Sequence, residues 1–199
     1  INLTPDSFSD GGKYNKKKLS FERAKNLIKS GSTILDIGGE STRPGSNDVN
    51  EMVEWKRIER FLKNRKKFNS LISIDTRKKT IMEKAFKYKI DIINDVSGMT
   101  YNTDTTNFLK KTKIPFIIHH MQGTPKTMQK NPKYKNVVLD IYDFFDKKIH
   151  EIRAMGIKHN NIILDPGIGF GKNLKHNITI LNQVSIFHSL GLPVMLGIS

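Results

Sequence analysis

Short, continuously apolar runs alternate with longer amphipathic ones along nearly the whole chain, and this alternation limits the folds open to it. The short runs are rich in Ile and show little polar alternation, which is typical of parallel strands covered on both faces. They lie at 33–37, 71–74, 90–93, 115–118, 161–164 and 193–196. Strands and helices that alternate in this way predict an α/β fold, either an open doubly wound sheet or a closed barrel.

Apolar residues three or four positions apart predict the helices between these strands. The stripes are Val138, Ile141, Phe145, Ile149 and Ile152; Met52, Trp55, Ile58 and Phe61 or Leu62; and Ala24, Leu27 and Ile28 before a stop at Ser30-Gly31. A last helix carries Ile180, Val184 and Phe187 and is predicted to close near Gly191.

Polar residues follow nearly every predicted strand, and their distribution favours the barrel. They are Asn2, Asp36 with Glu40, Asp75, Asn94 with Asp95, His119 with His120, and Asp165. An open sheet places its site at one or two switch points, whereas a barrel builds it from nearly all strand ends. We therefore predict that residues 1–199 form a single domain, a (β/α)8 TIM barrel. Segment 1–3 would be the tail of strand one and the run near Ser199 strand seven, so we expect an incomplete barrel that is inactive or poorly folded in isolation.

Composition limits the partners and the compartment. The 34 basic and 19 acidic residues give a formal charge of +15, which by itself suits a nucleic-acid partner. Most lysines fall on outer helix faces and no nucleic-acid-binding signature occurs, so we interpret the charge as a solvated surface. The absence of cysteine excludes disulfides, zinc thiolate sites and cysteine nucleophiles. No apolar run approaches the roughly 20 residues of a membrane span. Because the chain opens on the polar stretch 4–12, we expect no signal peptide. We expect a cytoplasmic protein that binds neither membranes nor nucleic acid.

Two polar loops stand out early in the chain. Segment 2–12 is rich in turn formers and carboxylates and contains one aromatic, Phe8; it is either an ordinary surface turn or, as we favour at a barrel rim, a mobile lid. In segment 38–45, freed backbone amides, the Thr42 hydroxyl and the Arg43 guanidinium suit a phosphate or carboxylate. Arg43 could equally form a structural ion pair with Glu40, and the sequence favours neither this pairing nor the anion-binding role.

Later strand ends carry further candidates. Asp75 and Asn94 could read the edge of a flat heterocycle, although Asp75 alone would more often cap the helix that follows it. His119 and His120 are adjacent in a strand and so point to opposite faces, which argues against joint metal chelation and a zinc site. Met121 would form an apolar wall. Segment 165–172 matches neither a P-loop nor a dinucleotide fingerprint, and its glycines are predicted to let the backbone pass close to a ligand.

Taken in order, segments 2–12, 38–45, 73–76, 93–95, 120–123 and 165–172 resemble the dihydropteroate synthase family. The resemblance implies a transferase of folate biosynthesis that joins p-aminobenzoate to 6-hydroxymethyl-7,8-dihydropterin diphosphate and releases diphosphate. It also suggests a homodimer. Two rivals are a pterin-binding methyltransferase that uses methyltetrahydrofolate with a cobalamin partner, against which the two early loops argue, and a basic nucleic-acid-binding barrel.

The resemblance also implies roles for individual residues. Those that would bind the pterin or line its slot are Asp75, Asn94, Asp165, Met121, Phe170 and Gly197. Asn2 would hold a Mg²⁺ ion bound to the diphosphate, with Asp10 assisting when the first loop closes. Thr42 and Arg43 would lie near the diphosphate and the aminobenzoate, and Phe8 would shape the aminobenzoate pocket.

Overall fold

Helices and strands alternate along the chain. The structure, a computed structural model, describes residues 1–4, 13–41, 48–102, 104–124 and 127–197, with the backbone alone for 13–18. The elements are α1 (Lys13–Lys29), β1 (Ile34–Gly38), α2 (Glu51–Leu62), β2 (Leu71–Asp75), α3 (Lys79–Phe86), β3 (Ile92–Asp95), α4 (Thr105–Thr112), β4 (Phe116–His119), α5 (Val137–Ala154), β5 (Ile162–Asp165) and α6 (Leu174–Asn182). Short 3-10 helices lie at Arg65–Lys67, His159–Asn161 and Val184–Leu190. This order confirms the α/β class.

The strands end later than the apolar runs predict. Each of the five strands continues into a polar residue or glycine, namely Gly38, Asp75, Asn94 with Asp95, His119 and Asp165. The reason is that backbone pairing continues after the apolar side chains stop. The candidate residues are therefore held by strand hydrogen bonding rather than by loops.

The chain divides into two compact units, the first with the described residues up to Asn94 and the second with those from Asp95 onward. In the first unit β1 pairs with β2 and β2 with β3, all in parallel. Segment 1–3 runs parallel to β1, because Leu3 N donates to Gly38 O at 2.7 Å and Gly38 N donates to Ile1 O at 3.1 Å. Segment 1–3 therefore lies parallel to β1 as predicted, but it forms only an isolated bridge, between Asn2 and Gly38, and no full strand.

The core of the first unit is built from strand isoleucines and a cluster of aromatic rings. Phe61 of α2 stacks on Phe68 at 4.9 Å. The predicted stripe of α2 is wrong at Met52, which is 67% exposed, while Glu54 is completely buried. The helix turns this carboxylate inward because its partner, Lys78, is buried beside it.

In the second unit β4 pairs in parallel with β5, and His119 lies opposite Asp165. The predicted stripe of α5 is buried throughout and is confirmed. The predicted strand 193–196 is wrong as a strand: within the described residues it forms only an isolated parallel bridge between Val194 and Leu164. The predicted last helix is two pieces, α6 and the 3-10 helix 184–190, which closes at Gly191 with φ 71°. No helix in the described part of the chain is long and apolar enough to cross a membrane.

Candidate functional site

The first unit aligns three strand ends side by side. Gly38 of β1 lies opposite Asp75 of β2, and Asp75 lies opposite Asn94 of β3. Asp75 is half-buried and Asn94 is 6% exposed. Asp75 does not cap α3, because that helix begins at Lys79 with Lys78 in the N-cap position. The helix-cap alternative for Asp75 is therefore wrong.

The amide of Asn94 has a defined orientation. Its Nδ2 donates to Oδ2 of Asp36 at 3.2 Å. A carboxylate only accepts hydrogen bonds, so the NH₂ group must face Asp36 and the carbonyl must face away. Asn94 Oδ1 and Asp36 Oδ1 are both buried and have no hydrogen-bond partner among the described residues. Such groups are costly to leave unpaired, so this pair is suited to a ligand that offers N–H donors.

Gly38 leaves room for two oxygen atoms. A Cβ added there would lie 3.3 Å from Asn2 Oδ1 and 3.3 Å from Asp75 Oδ2, closer than most Cβ contacts. Asn2 is exposed, so its amide oxygen is open to a ligand. No group of three or more His, Cys, Asp or Glu suited to a metal occurs among the described residues. The amide oxygen of Asn2 alone is still compatible with Mg²⁺, because this ion commonly keeps several water ligands and takes others from substrate phosphates.

A buried ion cluster lies beside these strand ends. Nζ of Lys78 lies 2.6 Å from Glu54 Oε2, 3.1 Å from Glu40 Oε2 and 2.7 Å from Val49 O. Burial opposes the charge of Lys78, but its bonds to Glu54 and Glu40 outweigh that effect and raise its pKa. Glu40 also accepts from Arg77 at 3.2 Å. The sequence pattern indicated Arg43 as a partner of Glu40 and did not indicate Lys78 or Arg77, which lie more than 35 positions further along the chain.

In the second unit Asp165 is held by two donors. Its Oδ1 accepts from Gly167 N at 2.8 Å, and its Oδ2 lies 3.2 Å from Nδ1 of His119. The ring of Phe170 packs edge-on against His119 with centroids 4.5 Å apart. A Cβ on Gly197 would lie 4.0 Å from Asp165 Oδ2. Asp165, Phe170 and Gly197 thus share one neighbourhood with His119, a residue to which sequence reasoning gave no role.

The glycine-rich segment after β5 packs on the chain that follows β4. A Cβ on Gly167 would collide with His120 O, and one on Gly171 would lie 2.8 Å from Gln122 O. Both residues have positive φ, which glycine adopts readily. The close approach predicted for a ligand is thus made by protein backbone at these two positions, whereas space beside Gly169 is open. Met121 is half-buried, and its predicted place in the pterin slot stays a prediction.

Lys172 ends this segment as a buried cation. Its Nζ lies 2.8 Å from Phe170 O, 3.2 Å from His120 O and 3.0 Å from His120 Nδ1, so three acceptors surround it. Burial lowers the pKa of Lys172 to about 7, while the charge of Asp165 acts in the opposite direction. Burial, together with the charges of Lys172 and His119, lowers the pKa of His120 to about 3.

The two adjacent histidines face different surroundings, as predicted. His120 lies against Phe144 with ring centroids 4.9 Å apart, whereas His119 contacts Asp165 and Phe170. Four further predicted site residues lie outside the described residues: Phe8, Asp10, Thr42 and Arg43.

Comparison with known proteins identifies the class. Residues 1–199 match the family described as pterin binding enzyme. The chain therefore belongs to the pterin-binding enzymes, and its α/β fold is the (β/α)8 barrel fold of that family, of which it carries a part.

The relatives define the family more narrowly. The chain is 39% identical over 200 residues to a dihydropteroate synthase of Haemophilus influenzae and 43% identical over 204 residues to one of Neisseria meningitidis serogroup B, covering 100% of this chain and 72% of each relative. It superposes on a Yersinia pestis dihydropteroate synthase with a sulfonamide drug complex at TM-score 0.92 and 38% identity, covering 100% of this chain and 72% of that one. A Xanthomonas albilineans dihydropteroate synthase with 4-aminobenzoic acid gives TM-score 0.91 and 32% identity, covering 100% and 71%. This chain is a member of that transferase family.

Proposed function

We propose that the chain condenses 6-hydroxymethyl-7,8-dihydropterin diphosphate with p-aminobenzoate, giving 7,8-dihydropteroate and diphosphate for folate biosynthesis. The observation that carries the proposal is the pair of buried acceptors on Asn94 and Asp36 that have no hydrogen-bond partner in the described part of the chain. The amino and ring N–H groups of a pterin are donors of the kind these oxygens lack. A related structure from Xanthomonas albilineans contains 7,8-dihydropteroate, which supports the assignment.

The pterin is proposed to bind through its polar edge. In the first unit Asp75 and Asn94 accept from that edge. For Asp165 of the second unit we propose the pterin contact that the family resemblance implies, with Phe170, Met121 and Gly197 around it. Because the carboxylate and the amide are already oriented before the pterin binds, little binding free energy is lost in ordering these side chains.

The chemical step needs charge neutralisation and positioning more than a nucleophile. The amine of p-aminobenzoate attacks the pterin methylene, the C–O bond to diphosphate breaks, and the amine releases a proton. Asn2 is the residue proposed to hold Mg²⁺, which when bound neutralises the leaving diphosphate. Asp10 and Arg43 are proposed to act at the diphosphate, with Thr42 beside them and Phe8 at the aminobenzoate. The protein itself orients both substrates and excludes water.

The test is the formation of dihydropteroate and diphosphate from the two substrates by the purified full-length protein. Asn94→Leu should lower kcat/KM about 10- to 100-fold, because a buried acceptor for the substrate is lost. Asn107→Leu, an exposed change on α4, is the control and should leave kcat/KM within twofold of the wild type. Methyl transfer from methyltetrahydrofolate without dihydropteroate formation would instead identify the methyltransferase rival.

Gly38→Ala should impair substrate use without unfolding the protein. The added methyl group would press on Asn2 Oδ1 and Asp75 Oδ2, and Gly38 has no positive φ to strain. We expect kcat/KM to fall about tenfold or more, with a thermal midpoint close to that of the wild type. In contrast, Gly39→Ala places its Cβ 2.9 Å from the Glu54 backbone oxygen and should lower the midpoint. Equal loss of stability in both variants would contradict this assignment.

The homodimer and the cytoplasmic location stay predictions. Light scattering coupled to size-exclusion chromatography measures the oligomeric state directly. An exposed apolar stripe of α6, formed by Leu174, Ile178 and Leu181, is the first surface to mutate in that experiment.

A further inference from the structure

His119 is enclosed by residues that the proposed function assigns to the pterin. Its side chain is buried, with Nδ1 at 3.2 Å from Asp165 Oδ2 and its ring edge-on to Phe170. A Cβ on Gly167 would lie 2.9 Å from His119 Nε2. The ring is thus confined by Gly167 and Phe170 and has little freedom to turn away from Asp165.

The contact with Asp165 distinguishes the two ring nitrogens of His119. Nδ1 lies 3.2 Å from a carboxylate oxygen, which can only accept a hydrogen bond, so this contact favours a proton on Nδ1. Nε2 is buried with no hydrogen-bond partner among the described residues. The ring therefore makes a single defined polar contact within the described structure, and that contact is to Asp165.

Asp165 in turn has both oxygens engaged. Gly167 N donates to Oδ1 at 2.8 Å and Nδ1 of His119 lies 3.2 Å from Oδ2, so rotation of the carboxylate about its Cβ–Cγ bond would break the hydrogen bond to Gly167 and the close contact with His119. Each oxygen has a second lone pair, so the carboxylate still accepts hydrogen bonds from a ligand. Two donors on two oxygens set the directions in which those remaining lone pairs point.

We propose that His119 is a positioning residue of the pterin site, which orients the Asp165 carboxylate for the pterin edge. This inference rests on the proposed function and deepens it. It adds His119, the last residue of β4, to the residues proposed for this site. A histidine that only fills space would be replaced without loss by any side chain of similar size, and this difference is testable.

Two substitutions separate positioning from packing. His119→Leu keeps an apolar branch in the core and removes the donor. His119→Asn keeps a donor, because Nδ2 of Asn occupies nearly the same place relative to Cβ as Nδ1 of His. We expect His119→Leu to raise the KM for the pterin diphosphate and the Kd for 6-hydroxymethylpterin about 10-fold. The KM for p-aminobenzoate should change less than threefold, and His119→Asn should recover pterin binding to within threefold of the wild type.

His150→Leu is the control variant, because it removes an exposed ring from α5 and should leave both KM values unchanged. Calorimetric binding to 6-hydroxymethylpterin needs no turnover and is measured on all four proteins. If the wild type binds the pterin and His119→Leu binds it equally well, or if His119→Asn is no better than His119→Leu, this inference alone is wrong. A wild-type protein that binds no pterin would overturn the proposed function and this inference together.

Discussion

Replacing Lys78 by Met is expected to lower the free energy of unfolding by about 3–5 kcal/mol. Lys78 is 4% exposed and its ammonium contacts two carboxylates, Glu54 at 2.6 Å and Glu40 at 3.1 Å. Methionine fills a similar volume but leaves Glu54, which is completely buried, without a counter-charge. An unpaired buried carboxylate has to take up a proton or remain in an unfavourable apolar environment, and either response costs stability.

The measurement is chemical denaturation followed by Trp55 fluorescence, with Lys79→Met as the matched control. Lys79 is the next residue, and its ion pair with Glu83 at 3.4 Å is an i,i+4 contact with both side chains partly exposed. Such pairs contribute about 0.3–0.5 kcal/mol, so the control should change stability by less than 1 kcal/mol or so. A loss below about 1 kcal/mol for Lys78→Met would show that the cluster is not a structural unit.

A double variant isolates the interaction itself. Glu54→Gln keeps an acceptor for the Thr76 hydroxyl, which donates to Glu54 Oε1 at 2.6 Å, and removes the charge. Combined with Lys78→Met, it should lose less stability than the sum of the two single variants, because no unpaired charge remains at Glu54. Strict additivity would mean that the two residues act independently.

The sequence predicted where the strands lie, but not all of what they carry. Parallel strands covered on both faces appear in the sequence as continuous apolar runs. These runs predicted both ends of each strand from β1 to β5 to within two residues. The stripe of α5 was predicted for the same reason, since its buried face is entirely apolar. In α2 the pattern failed at Met52 and Glu54. A buried glutamate is visible only once its partner is known, and Lys78 lies 24 positions further along the chain.

The candidate site, too, was predictable from the sequence only in part. Asp75 and Asn94 were predicted to face one cavity, because parallel strands bring their carboxyl ends to one edge and polar residues follow the apolar runs. Asp165 was added to them by the family resemblance. Their orientation was not predictable. The amide of Asn94 is turned by Asp36, 58 positions away, and the carboxylate of Asp165 by His119 on the neighbouring strand. Such pairings depend on strand order and register, which no single segment of sequence contains.

Lowering the pH from 7 to 5 is expected to destabilise the protein through His120 by about 2 kcal/mol. Burial and neighbouring charge lower the pKa of His120 in the folded protein to about 3, against an ordinary value of 6.5. Between these two values the unfolded chain binds a proton that the folded protein does not, so stability falls as the pH falls. The contribution is fully retained above pH 6.5 and decreases by about 1.4 kcal/mol per pH unit below it.

Two variants assign this acid sensitivity to His120. His120→Asn removes the titrating ring, while the Asn side chain still offers an acceptor to Lys172; His120→Leu removes both ring and acceptor. Groups remote from His120 titrate equally in all three proteins, and Lys172, which contacts His120, titrates at higher pH. The difference in slope between about pH 6 and pH 4 therefore reports His120. We expect both variants to lose about 2 kcal/mol less than the wild type between pH 7 and 5, and only His120→Leu to be markedly weakened at pH 7.

Lys172 titrates at higher pH than His120, so its titration can be distinguished from that of His120. Its pKa is lowered by burial to about 7 from an ordinary 10.5, so the unfolded chain holds the extra proton between those values and stability rises as the pH increases from 7. Below about pH 6 Lys172 is charged in both states and adds almost no slope. The acid slope, measured by urea denaturation at each pH, therefore belongs to His120, and a His120→Asn slope parallel to that of the wild type would contradict the lowered pKa.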